Sequence, residues 1–265
     1  MSWILAVTIT LGAAAYQRLT GPTYPLRGKV ALADRELTYK LPRSHGGEDD
    51  QEVKIDDPGT KAFLIYRRYK TQDDFTRIEM KPQNQELLAA LPHQPPAGKL
   101  EYNILIEDRG TLVPAVAKES VVIRFKGAVP PWVLIPHIFF MFSAMLLSNR
   151  AGIEALFKGQ SMRNYAIRTT AALFLGGMIL GPCVQKYAFG EFWTGIPWGW
   201  DLTDNKTLVG MIGWFGALFI VTLKPRFARS ALITAALILL GVYSIPHSMK
   251  GSELDYSKGK IVTGQ

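Results

Sequence analysis

Long apolar stretches and short alternating stretches divide this 265-residue chain into two kinds of segment. A helix that crosses a bilayer needs about 20 mostly apolar residues, and five stretches approach that length once their polar ends are included. They are Trp3–Leu19, Pro131–Leu147, Thr170–Val184, Leu208–Leu223 and Ala231–Ile245. The pattern predicts a multi-pass membrane protein with five transmembrane helices, of which the last four lie in residues 130–248.

Residues 24–127 alternate apolar and polar side chains over short runs, separated by turn residues such as Asp57-Pro58-Gly59. Alternation of period two is typical of strands with one buried face. The predicted strands are Leu26–Ala33, Arg35–Leu41, Ala62–Tyr69, Phe75–Met80, Leu87–Leu91, Lys99–Glu107 and Ser120–Phe125. Seven short strands favour an antiparallel β-sandwich. The predicted fold class is therefore mixed α and β, with this sandwich joined to a five-helix transmembrane bundle.

The strand Ala62–Tyr69 resembles the central, aromatic-bearing strand of fibronectin type III and immunoglobulin-like modules. The run from Leu91-Pro92 to Gly98–Tyr102 is similar to that family's leucine and tyrosine corner, where a tyrosine hydroxyl bonds upstream backbone. The resemblance covers residues 24–127 only, and the membrane part resembles no family that we recognise. It implies a binding or spacing module without catalysis.

The first apolar stretch has two interpretations. Ser2–Ala15 has the apolar core of a signal peptide, and Ala13-Ala14-Ala15 offers a small-residue cleavage site. A cleaved signal normally begins with a positively charged region, however, and no Lys or Arg precedes this stretch. We therefore expect residues 1–19 to be an uncleaved signal anchor.

The basic residues predict the orientation in the membrane. Residues 150–168 hold four basic side chains against Glu154, and residues 224–229 hold three basic side chains and no acidic one. Loops rich in Lys and Arg stay on the cytoplasmic side. We therefore expect a protein of the bacterial inner membrane. Its β domain (24–127), its aromatic hairpin (186–206) and its tail (249–265) would then be periplasmic.

The net charge of +8 is concentrated in those two loops, whereas residues 20–127 carry 17 basic against 16 acidic side chains. A nucleic-acid-binding protein would gather its positive charge on one exposed surface, so nucleic-acid binding is excluded. The single cysteine, Cys183, excludes an intramolecular disulfide. The β domain must therefore be stable through its own hydrophobic core.

Small residues recur at helical spacing in two of the predicted helices. Gly177 and Gly181 lie four residues apart, and glycines 210, 213 and 216 follow one helix face. Such spacing lets helices approach closely. The stripes predict tight packing within the bundle.

The aromatic hairpin 186–206 holds three of the six tryptophans, Trp193, Trp198 and Trp200, and ends in a polar turn with Asp201, Asp204 and Asn205. Tryptophan concentrates at membrane–water interfaces, and Thr203 or Asp204 can cap the next helix. The hairpin therefore has two interpretations, a structural anchor or a surface for a ligand or partner.

Tyr66 and Arg68 in the β domain have a similar pair of interpretations. They either belong to a solvated strand face or dock a partner or glycan through a cation–aromatic surface.

Two histidines occur in Ile-Pro-His tripeptides, His137 and His247, and the predicted topology places both in the outer leaflet with Cys183. Ionisable groups at membrane depth suggest function. Imidazole and thiolate groups can bind copper, zinc or iron, and two imidazoles can ligate a haem. The alternatives are a quinone-type or proton-relay role, or a structural one, in which the histidines satisfy backbone carbonyls that proline leaves unpaired.

The sequence contains neither HExxH nor CxxCH, and it lacks a Walker A loop, GxSxG and the dinucleotide-binding glycines. We therefore expect a non-catalytic membrane subunit or scaffold of a bacterial envelope complex, without a cofactor. Its expected partners are the lipid bilayer and other membrane or extracytoplasmic subunits. The first alternative is a membrane redox or metal-handling protein with haem or copper at His137 and His247. The second is a small permease or sensor that binds its ligand at the aromatic hairpin.

Overall fold

The protein is described here from a computed structural model, which describes residues 1–117, 120–247, 249 and 251–263. The chain divides into two compact units. The helical unit comprises Met1–Pro22, Val129–Ser252 and Thr263, and the β unit comprises Thr23–Ala128 and Glu253–Val262.

The helical unit contains α1 (Ser2–Thr20), α2 (Pro131–Leu156), α3 (Met162–Leu173), α4 (Gly181–Phe189), α5 (Leu202–Leu223) and α6 (Ala228–Ser244). A π-helical segment, Phe174–Leu180, joins α3 to α4, and a 3-10 turn, Pro225–Phe227, precedes α6. Four stretches are long and apolar enough to cross a membrane, namely Pro131–Leu156, Met162–Phe189, Leu202–Leu223 and Pro225–Ser244. The predicted first span forms α1, but α1 is not among the four, because Gln17 and Arg18 follow its apolar part.

The helices extend beyond the apolar runs that predict them. Helix α2 continues to Leu156 and α3 begins at Met162, so residues 157–161 alone connect the two helices. Most of the predicted loop 150–168 is therefore helical. The predicted hairpin 186–206 is likewise shorter, because α4 ends at Phe189 and α5 begins at Leu202. Backbone hydrogen bonds continue a helix after its side chains become polar, which hydropathy alone does not predict.

Helix α1 is attached to its neighbours by polar contacts as well as by apolar packing. Asn149 Nδ2 donates to Thr10 Oγ1 at 2.9 Å, and both residues are buried. The guanidinium of Arg150 lies 5.6 Å from the ring centre of Trp3 and 4.7 Å from that of Tyr165. Gln17 Nε2 donates to the Tyr243 carbonyl oxygen at 2.6 Å. These contacts join α1 to α2 and α6.

Glycines permit close contact at some of the predicted positions only. A Cβ atom at Gly177 would lie 2.6 Å from Thr207 Cγ2, and one at Gly210 would lie 2.7 Å from Leu239 Cδ1. Neither site has room for a side chain. At Gly213 the nearest atom would be 3.8 Å away, and at Gly216 nothing lies within 4 Å. The predicted tight packing is therefore confirmed for Gly177 and Gly210 and not for Gly213 and Gly216.

The β unit contains two main sheets and a terminal hairpin. One sheet has the order β1-β2-β4-β8-β7 and the other β3-β11-β9-β5-β6, with β10 also paired to β9. The pairings are antiparallel except that of β11 with β3, which is parallel. The strands are β1 (Leu26–Ala31), β2 (Glu36–Leu41), β3 (Ser44–Gly46), β4 (Gln51–Asp56), β5 (Ala62–Arg68), β6 (Thr76–Glu79), β7 (Lys81–Gln83), β8 (Glu86–Leu91), β9 (Lys99–Asp108), β10 (Thr111–Pro114), β11 (Val121–Lys126), β12 (Glu253–Asp255) and β13 (Lys260–Val262).

All seven predicted strands are present with small changes at their ends, and six further strands are not predicted from sequence. The longest of these is β4, in which Val53 and Ile55 alone are buried between charged neighbours. The acidic residues 48–50 precede β4, and they conceal its alternation of apolar and polar side chains in the sequence. The other five have three or four residues each, too few to show a period.

Buried side chains from both sheets form one hydrophobic cluster. Val53 and Leu91 come from the first sheet, and Leu64, Ile104 and Phe125 come from the second. Alternate residues of β8 are buried, as expected for a strand with one face on a core. The β unit therefore has a core of its own, as the absence of a disulfide requires.

Tyr102 is fully buried in this core, where its hydroxyl donates to the Pro42 carbonyl oxygen at 2.7 Å. Burial raises the pKa of the hydroxyl well above its usual value, so Tyr102 remains a donor. The bond joins β9 to the segment after β2.

The C-terminal residues are not a simple tail, because β12 and β13 pair with each other. Leu254 N donates to the Ala97 carbonyl oxygen at 3.0 Å, and the Glu253 carboxylate pairs with the ammonium groups of Lys70 and Lys99. Burial would raise the pKa of Glu253, but the hydrogen bonds from the two lysines outweigh it and hold the pKa below its usual value. A backbone hydrogen bond and two ion pairs thus hold the hairpin to the rest of the β unit.

We predict that Tyr102→Phe lowers the unfolding free energy by about 1 kcal/mol, because the Pro42 carbonyl loses its donor. For a chain of this size, that corresponds to a decrease in Tm of about 2–4 °C. Thermal unfolding of the full-length protein in detergent measures it. Tyr66→Phe is the matched control, because the Tyr66 hydroxyl makes no hydrogen bond within the part of the chain that the structure describes. Equal Tm values for the two variants would contradict the role given to the Tyr102 hydroxyl.

Candidate functional site

Asp201 begins α5 and fixes the end of the loop before it. Its Oδ1 accepts from Thr203 N at 2.8 Å and from Asp204 N at 3.4 Å, as an N-cap side chain does. The sequence predicts Thr203 or Asp204 in this role, which is wrong because the N-cap lies two or three residues earlier, at Asp201. A carboxylate is also favoured at this end by the helix dipole.

Asp204 lies in the first turn of α5 and binds the loop and α4 together. Its Oδ2 accepts from Thr194 N at 2.6 Å, from Thr194 Oγ1 at 3.2 Å and from Gln185 Nε2 at 3.0 Å. Gln185 projects from α4 and also donates to Thr194 Oγ1 at 2.6 Å. One carboxylate oxygen therefore positions two helices and the loop between them.

The second oxygen of Asp201 extends the network to the residues after α6. Asp201 Oδ2 accepts from Ser252 N at 2.8 Å and from Ser252 Oγ at 3.0 Å, and that hydroxyl lies 3.1 Å from Thr194 Oγ1. We call Gln185, Thr194, Asp201, Asp204 and Ser252 the aspartate network. All five residues are buried, and none is more than 8% exposed.

The aspartate network corrects one part of the sequence prediction. The sequence predicts Asp201 and Asp204 on a ligand or partner surface, but they are 4% and 6% exposed and their oxygens accept from internal donors. Asn205 also has an internal role, because its Oδ1 accepts from Ile196 N at 2.8 Å. A buried carboxylate needs such donors to replace its hydration.

The loop held by this network, residues 190–201, is called here the tryptophan loop. Its three tryptophans differ in exposure. Trp193 is half-buried and donates from Nε1 to the Ile196 carbonyl oxygen at 3.1 Å, whereas Trp198 and Trp200 are 80% and 71% exposed. The backbone at Trp200 is held by a bond from its N–H to Thr263 Oγ1 at 3.2 Å. A fixed backbone thus presents two large indoles outward.

A second feature of the helical unit is a partly open cavity of about 180 Å³. Its apolar walls include Ile138, Met141, Phe142 and Met145. Its polar lining consists of Gln17, His137, Thr203, Lys206, Thr207, Tyr243 and His247. The sequence predicts that His137 and His247 lie at the same level, and the structure brings both to this cavity.

His137 is oriented by the π-helical segment. Its Nδ1 lies 2.9 Å from the Gly176 carbonyl oxygen, which also accepts from Gly181 N. A carbonyl only accepts, so the proton of the neutral ring is on Nδ1 and the lone pair is on Nε2. Gly176 has no room for a Cβ, which would lie 2.9 Å from Met141 Sδ and from Phe140 Cβ.

Lys206 is 7% exposed, and its Nζ donates to the Ile245 carbonyl oxygen at 2.7 Å. It lies one turn after Asp201 on α5 and lines the cavity. An ammonium group has three donors, and the part of the chain that the structure describes supplies one hydrogen-bond acceptor to it.

The predicted metal site is not assembled. Among the described residues, no group of three or more His, Cys, Asp and Glu side chains is placed to hold a metal ion. His137, His247 and Cys183 therefore do not form a shared three-ligand site, and Cys183 does not line the cavity. Cys183 belongs to α4, whereas the cavity is lined by residues of α1, α2, α5 and α6 and by His247.

The predicted docking residues of the β unit have internal contacts. Tyr66 packs against the hydrophobic cluster. Arg68 donates to both oxygens of Asp73, at 2.6 and 3.1 Å, and lies over the Tyr256 ring. The hydrogen bond from Arg68 lowers the pKa of Asp73. Tyr66 thus packs against the core, and the charge of Arg68 is paired within the unit.

Sequence reasoning misses Thr194 and Ser252, which are ordinary residues in polar loops and carry no signal of their own. Gln17, Gln185 and Lys206 do carry a signal, because strongly polar side chains next to apolar helical runs are costly to bury.

Comparisons with known proteins do not place the chain in a family. No family model matches it, and no curated protein matches it. Among solved structures, a β-1,2-glucanase from Parabacteroides distasonis is similar over 81% of this chain and 34% of its own, with 9% identity and a TM-score of 0.24. The chain thus spans about a third of that protein's length, and a likeness of this size supports no conclusion about fold or function.

We predict that Asp204→Asn lowers the unfolding free energy by about 2–3 kcal/mol, because the three hydrogen bonds to Asp204 Oδ2 lose the negative charge that strengthens them. The Tm of the full-length protein in detergent should fall by more than about 4 °C. Glu191→Gln is the control, since Glu191 is exposed in the same loop and should change stability by less than about 0.5 kcal/mol. If both variants unfold at the wild-type temperature, the aspartate network does not hold the loop.

Proposed function

We propose that the protein is a non-catalytic integral membrane subunit of a bacterial envelope complex, and that the tryptophan loop and the β unit contact its partners. The observation that carries the proposal is the exposure of Trp198 and Trp200 on a loop fixed by buried carboxylates. Tryptophan is enriched among the residues that dominate binding energy at protein interfaces. A loop that is already ordered loses little conformational freedom on binding.

In this proposal, the helical unit is a bundle of five transmembrane helices. Four helices have the necessary length and composition. The contacts of α1 support its inclusion as the fifth, because Asn149 binds Thr10 and Gln17 binds the Tyr243 carbonyl from within the helical unit. Hydrogen bonds between helices stabilise membrane bundles by about 0.6 kcal/mol each on average. Several of them, with the packing of Trp3 and Arg150, favour a retained anchor over a cleaved signal.

We further propose that the β unit is an extracytoplasmic sandwich of the fibronectin type III or immunoglobulin-like kind. The single core shared by the two sheets supports this. So does the Tyr102 hydroxyl, which bonds the backbone of an earlier segment as the resemblance implies. The parallel pairing of β11 with β3 is an addition to the antiparallel arrangement.

We infer the orientation from the basic residues at one end of the proposed bundle. Arg150, Arg163 and Arg226 lie next to the connections 157–161 and 224–227, and a positive excess favours the cytoplasmic side. The tryptophan loop and the β unit would then be periplasmic in an inner-membrane protein.

A labelling experiment checks this orientation. We expect Gly46→Cys to react with a membrane-impermeant maleimide added to cells with a permeabilised outer membrane, and Gln160→Cys to react only after the inner membrane is lysed. Both are made in a Cys183→Ala background, and both positions are exposed. A side chain at Gly46 would meet nothing within 4 Å. The opposite labelling pattern would reverse the topology.

A second experiment tests the tryptophan loop. We expect a stoichiometric partner to co-purify with the wild-type protein in mild detergent, and the double substitution Trp198→Ala, Trp200→Ala to reduce its recovery at least about tenfold, since two hot-spot side chains are removed. Quantitative mass spectrometry measures the recovery.

The matched control is Trp132→Ala, which removes an equally exposed tryptophan, 71% accessible, from the first turn of α2. It should leave the partner bound. Equal loss in the control would mean that the tryptophans anchor the bundle at the membrane surface, and full retention in the double variant would exclude the loop as the contact.

The haem and copper alternatives receive less support. His137 and His247 share a cavity, but a cavity of about 180 Å³ is close to the 150 Å³ that accommodates a benzene molecule. The macrocycle of a haem is several times larger than one six-membered ring, so it does not fit this cavity. No described third ligand is available for a metal.

A further inference from the structure

We propose that the cavity of the helical unit binds the ring head of a lipid-soluble quinone, with the apolar tail of the quinone directed out of the cavity. The proposal does not depend on the partner contacts of the tryptophan loop. It rests on the size of the cavity, on its apolar walls, and on a donor and an acceptor that line it.

The size of the cavity fits one six-membered ring. Its volume is about 180 Å³, and a cavity of about 150 Å³ lined by apolar side chains accommodates benzene. Met141, Met145, Phe142 and Ile138 supply apolar walls for a flat ring, and the flexible, polarizable methionine side chains can adapt to its shape. The cavity is partly open, so a tail can leave it.

Lys206 supplies the donor. It is buried, and within the described residues its ammonium has one acceptor, the Ile245 carbonyl oxygen at 2.7 Å. The carboxylates of Asp201 and Asp204 accept from other groups in the aspartate network. A buried ammonium is stabilised by further acceptors, and a ring carbonyl oxygen is one that fits the space.

His137 supplies the acceptor. Its Nδ1 is occupied by the Gly176 carbonyl, so the neutral ring offers the lone pair of Nε2. A hydroxyl group on a ring can donate to that atom. A ligand that matches both groups carries one oxygen that accepts and another that donates, which is the chemistry of the quinone and quinol pair. A fatty acid would use Lys206 alone.

Binding is measured on the full-length protein in detergent by isothermal titration with decylubiquinone and with decylubiquinol, and with oleate as the carboxylate amphiphile. We expect one site per chain. Lys206→Met should weaken both ring ligands about tenfold or more, and His137→Phe should weaken the quinol more than the quinone.

Two controls separate binding from folding. Lys186→Met removes a lysine outside the cavity, whose Nζ donates to the Gly190 carbonyl oxygen, and should leave the affinities unchanged. Ile138→Trp fills the cavity from a position that is 46% exposed, keeps Lys206 and His137 in place, and should abolish binding. The thermal unfolding of each variant without ligand shows that it is folded.

Three results would overturn the proposal. The first is that the wild-type protein binds neither ring ligand saturably. The second is that Ile138→Trp, shown to be folded, binds both as the wild type does. The third is that oleate binds as tightly as the quinol with no effect of His137→Phe, which would assign the cavity to an anionic lipid head.

Discussion

A carboxylate buried at the end of a membrane helix has to find its hydrogen-bond donors inside the protein, and the helical unit is arranged around that constraint where α5 begins. Asp204 accepts from α4 and from the loop, and Asp201 accepts from α5 and from the residue at 252. Separate parts of the chain meet at two side chains as a result. The hydrogen bonds of these two carboxylates determine the conformation of the tryptophan loop and the position of α5 beside the cavity.

Other polar groups of the helical unit also form hydrogen bonds inside the protein, and the partner is different at each place. The imidazole of His137 binds a carbonyl in the π-helical segment, Asn149 binds a hydroxyl on α1, and Lys206 binds the carbonyl of Ile245. Each pairing joins two parts of the chain that hydrophobic packing alone would leave free to slide, because lipid and leucine are equally apolar. The polar side chains therefore specify the arrangement of the helices.

The parts of this fold that sequence reasoning predicts are those encoded by neighbouring residues. Apolar length predicts the four long helices, and alternation predicts strands such as β9, because both patterns are local. The aspartate network joins Thr194 to Ser252, 58 residues apart, and no local pattern reports such a contact. The same limit explains why Asp201 and Asp204 look like surface residues in the sequence. Their hydrophilic character is visible there, but their donors are not.

The seven-residue π-helical segment between α3 and α4 sets the rotational phase of the helix that follows it. A π-helical turn holds an extra residue, so the same residues wound as regular α-helix would turn α4 by about 100° around its axis. Gln185 would then face away from Asp204, and the Gly176 carbonyl would no longer meet His137. A one-residue deletion in this segment would instead restore regular α-helix and keep α4 in phase, so the extra residue can be lost without moving Gln185 away from Asp204.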